Sequence, residues 1–279
     1  MSRDRLLLFA EDVSKAIRQS TDASPVAVRV RCLLREALQD TEFVLDCVDA
    51  ATSVIASSTS SSPWENPPIV DDDESAFSVR LIYWPARSRN SPHRHTFWTV
   101  TGVLANELTF VTYAEPPPGK KPARIEREIH GCVGEVGMIL PPCIHRVLNP
   151  SEAPSISVHV FSGPRAAELA QPNRYERGLT TWFDEGGEGD ADAPQRTASD
   201  ILAALIALLD TLTAPRVVPI VDRLFGVADL PSKLAITKVL SRHDPGLAGQ
   251  RLYELAAECG GPDAPKLRAL AGRLVATPR

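Results

Sequence analysis

Between Phe77 and Phe161 the chain breaks into short segments that read as β-strands, and no other feature restricts its fold as strongly. Phe77, Val79, Leu81 and Tyr83 alternate with Ser78, Arg80 and Ile82, the period-two signature of a strand. Further β-like runs cover Trp98–Leu104, Leu108–Tyr113, Ala123–His130, Val136–Leu140 and Ser155–Phe161, with Gly, Pro and Asn turns between them. Several short strands punctuated in this way predict a sandwich or barrel.

The flanks are different. Residues 4–19 carry a helical apolar pattern, and Val26, Val30, Leu33, Ala37, Val44 and Val48 continue it at three- and four-residue steps, with one turn skipped at Thr41. The run Ser57–Pro63 is too polar to bury a core and reads as a connector, as does the acidic, glycine-rich stretch Asp184–Asp192. Beyond it, Ser199 and Asp200 are candidate N-caps for the apolar run Ile201–Leu209, and prolines from Pro215 to Pro265 divide the rest into about four short helices. The expected division is N-terminal helices and connector over 1–62, a barrel over 63–184, a linker over 185–197 and a helical domain over 198–279. A packing or dimerising role suits that last segment, so a homodimer through the helices is an expectation.

Inside the β region sits a histidine constellation. His93 and His95 lie in Ser91-Pro92-His93-Arg94-His95, and His145 follows in Leu140-Pro141-Pro142-Cys143-Ile144-His145. Histidines at i and i+2 on an extended segment point to one face. A third from a distant strand can close a facial set of imidazoles around one metal ion, with positions left open for substrate and O2. Imidazole suits Fe, Zn, Cu and Ni, so ligand type leaves the metal open. The competing reading is hydrogen bonding of unrelated histidines within a polar barrel mouth.

Composition excludes several classes. A formal net charge of −5 gives no general electrostatic reason to bind nucleic acid or an anionic membrane. No run approaches eighteen apolar residues, so no membrane span is expected. Leu6–Ala10 is too short for a signal-peptide core. The five cysteines, Cys32, Cys47, Cys132, Cys143 and Cys259, are odd in number and lack C-x-x-C spacing, as reduced thiols of a cytoplasmic protein would be.

Pro92-His93-Arg94-His95-Thr96-Phe97-Trp98-Thr99-Val100-Thr101-Gly102-Val103-Leu104 resembles the first metal motif of the bacterial cysteine dioxygenase family, within the cupin superfamily. Gly134–Pro150, with His145 at its centre, resembles the second cupin motif. Ser155-Ile156-Ser157-Val158-His159-Val160-Phe161 is similar to the strand that carries that family's Ser and His beside the metal. Ordinary cupins often add a glutamate ligand four residues after the second histidine. Thr99 occupies that position, as in a three-histidine site.

The resemblance implies a mainly β cupin, a double-stranded β-helix or jelly-roll barrel, with helices at both ends. It implies one Fe(II) per chain held by His93, His95 and His145, with Ser157 and His159 as catalytic support. The implied reaction is oxygenation of a thiol to a sulfinate by O2. Departures point to an altered substrate, a thiol or a specialised metabolite. The family tyrosine two residues after His159 is Phe161, and no arginine lies between Ala51 and Ser78 to clamp a carboxylate. Arg80 falls on the face opposite the apolar set of its strand. Arg87, Arg89, Trp98 and Phe161 are the expected substrate-binding residues, and Cys143 is a candidate near-metal thiol. Two alternatives stand beside this reading: a cupin oxygenase acting on carbon or nitrogen, and a non-catalytic metal or ligand sensor.

Overall fold

The structure, a computed structural model, describes residues 4–56, 68–95, 97–117, 124–163, 180–181 and 197–276. Both connectors read from the sequence, Ser57–Pro63 and Asp184–Asp192, lie outside the described residues. Two compact units emerge, one of residues 1–47 with 65–195, the other of 48–64 with 196–279.

The first unit begins with helix α1 (Arg5–Gln19), capped by the Asp4 carboxylate on the amides of Leu6 and Leu7, and helix α2 (Ala23–Ala37), capped by Asp22. The continuous helix expected over Val26–Val48 is in fact two. α2 stops at Ala37, and the Asp40 carboxylate accepts the Glu42 amide to start α3 (Thr41–Ala56). The skipped turn at Thr41 was the trace of that break.

Ten strands follow among the described residues. One antiparallel sheet has the order β1 (Pro68–Asp72), β2 (Phe77–Trp84), β9 (Ser155–Ser162), β4 (Thr99–Ala105), β7 (Val136–Ile139). The other runs β10 (Thr180–Thr181), β3 (His93–Arg94), β8 (Ile144–Leu148), β5 (Glu107–Tyr113), β6 (Ile125–Cys132). Apart from β1–β2 and β5–β6, neighbours in each sheet are distant in sequence, and the apolar cluster Trp84, Val103, Leu108 and Val147 packs one sheet on the other. This is a double-stranded β-helix, or jelly-roll barrel.

Register decides which side chains enter the barrel. Leu81, Val158 and Gly102 lie opposite one another across β2, β9 and β4, and a Cβ on Gly102 would fall 2.6 Å from Leu38 and 3.3 Å from Leu34 at the end of α2. That face is therefore covered by a helix, and Val79, Val100 and Val160 share it, fully buried. The other face, with Arg80, Ile82, Trp84, Ser157, His159 and Thr101, looks into the barrel. Apolar alternation in β2 thus marks the helix side, because this sheet is buried on both faces.

In the second unit, helices α4 (Ala198–Leu209), α5 (Val217–Phe225), α6 (Leu230–His243), α7 (Pro245–Cys259) and α8 (Ala264–Val275) pack in succession. The cap of α4 is Thr197, in a capping box with Asp200, one turn earlier than Ser199 or Asp200 themselves would cap. Gly249 lets α7 approach α8 closely: an added Cβ would lie 2.5 Å from Val275 Cγ2 and 3.2 Å from the Ala271 carbonyl oxygen. Gly249→Leu should therefore lower stability by about 1–3 kcal/mol through overpacking. Thermal unfolding checks it, and an unchanged midpoint would mean the helices separate at no cost.

Candidate metal centre

The strand that bears His93 is only two residues long, so its position depends on side chains around it. The Asn90 carboxamide oxygen accepts the Val147 amide at 2.7 Å, tying the incoming loop to β8. Asn149 Nδ2 donates to the carbonyls of Trp84, Pro85 and Ala153 at 3.2, 3.1 and 2.8 Å, joining the end of β2 to the turn after β8. With the loop held, β3 pairs antiparallel to β8 and sets His93 directly opposite His145. His95 follows two residues later. Ring centroids are 4.2 Å apart for His93 and His145, 4.9 Å for His93 and His95, and 5.2 Å for His95 and His145.

One nitrogen from each ring lies within 4.8 Å of those of the other two. His93 Nδ1 sits 2.9 Å from the Ser91 carbonyl. A carbonyl only accepts, so the neutral ring carries its proton on Nδ1 and its lone pair on Nε2. His95 and His145 are buried, and the Nδ1 atom of each has no hydrogen-bond partner. Burial, then the nearby His93, pushes the His95 pKa down to about 3, and burial followed by His93 and His95 holds His145 well below the usual imidazole range. Three close imidazoles, two of which are buried, resist protons and have an unsatisfied Nδ1, are a donor set that a metal ion fits.

Beside the cluster runs a buried hydrogen-bonded chain. Trp84 Nε1 donates to Ser157 Oγ at 2.7 Å, Ser157 Oγ meets His159 Nε2 at 2.8 Å, and His159 Nδ1 meets Thr101 Oγ1 at 3.0 Å. Indole only donates. The simplest assignment has Ser157 pass its own proton toward Nε2, which puts the His159 proton on Nδ1, facing Thr101. Burial, then His95, lowers the His159 pKa to about 3, so the ring stays neutral. Its face stacks on Phe161 at 5.4 Å and 11°, and Phe161 in turn stands 6.1 Å from His95.

The residues expected to bind substrate fare unequally. Phe161 adjoins the cluster. Arg87 is exposed and ion-paired to Glu152, its Nε 2.7 Å from the carboxylate. Arg89 is exposed and bridges by its backbone to Leu148. Trp98 is buried, its amide held by Ser162 Oγ at 3.1 Å. Cys143 is partly buried, its thiol pKa raised by burial and then by Glu126.

Sequence reasoning put Arg80 opposite the apolar set without recognising that side as the barrel interior, and gave Thr99 no inward place. Arg80 lies directly opposite His159, which lies opposite Thr101, so all three share the barrel side. Arg80 is buried, at 7% exposure. Thr99 lies opposite Phe161 with its hydroxyl buried and unpartnered. The usable signal was Ser78-x-Arg80: a strand with helices on one side and a barrel on the other can carry its polar residues inward.

No protein-family model and no curated protein sequence matches the chain. Solved structures do. A recombinant oxalate oxidase in complex with glycolate is 18% identical over 38% of this chain and 46% of its own, with a TM-score of 0.28. An uncharacterized conserved protein with a double-stranded β-helix domain from Klebsiella pneumoniae is 12% identical over 47% of this chain and 94% of its own, with a TM-score of 0.32. A Cupin 2 conserved barrel domain protein from Salinispora arenicola is 14% identical over 37% and 71%, with a TM-score of 0.27. The chain thus spans less than half the length of the oxalate oxidase it matches. No helix among the described residues is long and apolar enough to cross a membrane.

Proposed function

We propose that this chain is a metal-dependent cupin enzyme, a mononuclear iron oxygenase that converts a thiol to a sulfinate: RSH + O2 → RSO2⁻ + H⁺. The observation that carries it is the His93, His95, His145 cluster without a carboxylate among its members. Three neutral imidazoles do nothing to offset the charge of a divalent ion. A thiolate does, and it adds electron density in the same step. When bound, ferrous iron would supply the electrons and adjacent open positions that reaction with O2 requires.

The surrounding residues support that division of labour. Arg80 brings a further positive charge to the inner face, which favours an anionic substrate over a neutral one. His159 has both ring nitrogens occupied by Ser157 and Thr101 and serves to hold that wall in place rather than to exchange protons. Phe161 presents an apolar face toward His95 and excludes water there.

The test is oxygen consumption by anaerobically iron-loaded protein over a panel of thiols, with mass spectrometry under 18O2. The expected result is thiol-dependent uptake with both labelled atoms on sulfur. Metal-loaded protein that consumes no O2 with any thiol, or places the label on carbon or nitrogen, rejects the reading.

A further inference from the structure

A cavity of about 620 Å³ opens along the barrel between β6 and β7, lined in part by Phe110, Thr112, Arg127, Ile129, Ile139 and, from helix α2, Arg31. Its inner wall adjoins the metal centre. Thr112 lies directly opposite His145 across β5 and β8, and His145 lies opposite His93. On the outer side Thr112 faces Arg127 of β6. One row of side chains on one sheet face therefore runs Arg127, Thr112, His145, His93. With neighbouring strands about 4.8 Å apart, Arg127 stands about 10 Å along that row from His145.

Among the described residues neither arginine of this cavity is ion-paired. Arg31 has a buried Nε with no hydrogen-bond partner, and no carboxylate of the described residues pairs with Arg31 or Arg127. Glu126, which also borders the cavity, lies 3.7 Å from Arg124 instead. Ile129 is 45% exposed on the open side, and the lining away from Thr112 and the charged groups is mostly apolar. A buried cationic nitrogen without a partner beside an apolar channel is costly unless a ligand completes it.

We propose that this cavity binds an elongated, largely apolar molecule whose oxyanion head, a carboxylate or its like, is gripped by Arg31 and Arg127. Its far end points to the histidine cluster. The inference rests on the oxygenase reading only for that orientation. It narrows the substrate to one whose anionic group lies about 10 Å from the reacting atom, two strand spacings along the sheet. A molecule as short as cysteine cannot occupy both ends.

Calorimetry on metal-loaded, anaerobic, full-length protein tests it with octane-1-sulfonate, an apolar anion with weak affinity for metals, against octan-1-ol. The sulfonate should bind about ten- to a hundredfold tighter, as one or two charge-assisted hydrogen bonds imply. Arg127→Met and Arg31→Met should each shrink that preference, with metal content unchanged as evidence of an intact barrel. Arg127→Lys should retain part of it. Equal affinity for sulfonate and alcohol, or a preference untouched by both methionine variants, overturns the proposal. A sulfonate preference that depends on both arginines, in a protein that oxidises no thiol, supports this site and rejects the thiol reading alone.

Discussion

His145→Ala should leave the purified chain without stoichiometric metal, while His130→Ala and His243→Ala keep it. His145 is 3% exposed, stands opposite His93 and lies within reach of His95, so no other side chain can take its place without moving a strand. Loss of a residue that merely orients a metal ligand costs about 10–100-fold in affinity. Loss of one of three direct donors should exceed that. His130 is bound to Thr109 on the outward side of β6, and His243 ends helix α6 in the other unit, so both serve as controls. Metal analysis after dialysis decides it. Full occupancy in His145→Ala would remove the cluster from consideration.

Metal-free protein should lose stability steadily as pH falls below about 6.5. The sign follows from three buried histidines. His95 and His159 titrate near 3 in the folded state, and His145 is also strongly lowered, each by burial first and nearby histidines second. In the unfolded chain each returns to about 6.5. Between those limits the unfolded state binds more protons, so stability is full above the unfolded value and declines as pH drops toward the folded one. Each group contributes a slope of up to about 1.4 kcal/mol per pH unit. Against a typical total of about 5–15 kcal/mol, such groups are enough to remove a large part of the stability by about pH 3. Trp84, buried and bonded to Ser157, reports the transition by fluorescence. His159→Gln keeps a hydrogen-bonding side chain but cannot titrate, so its stability should fall less steeply with acid than that of the parent. A parent stability flat from pH 7 to pH 4 would contradict the assignment of neutral buried imidazoles.

Much of this candidate centre is legible in the residues because its histidines obey strand parity. His93 and His95 share a face at any register, and His145 meets them once its strand is placed. The alternating run that became β2 and the β-like runs that became β4, β5, β6, β7 and β9 are equally plain. What escaped reading has physical reasons. β3 has two residues, too few to show a period, and exists because Asn90 and Asn149 hold its flanks. The single helix expected over Val26–Val48 continued its apolar stripe through a break made by one carboxylate, Asp40. Arg80 was read by parity as opposite the apolar set, which is correct, but only the helix packed at Gly102 shows that the opposite side is the barrel interior. Arg87 and Arg89 drew notice by proximity in sequence, yet Glu152 holds the first and the second is exposed on the surface. Arg127 went unnoticed since its link to His145 is a register across β5 and β6, invisible along the chain.

X-ray absorption at the iron edge of anaerobically loaded protein tests the central claim most directly. The account predicts a coordination sphere with three imidazole nitrogens, reduced to two in His93→Ala, and a new sulfur scatterer when a thiol is added. A sphere of oxygen donors without imidazole scattering, or one indifferent to loss of His93, would contradict it.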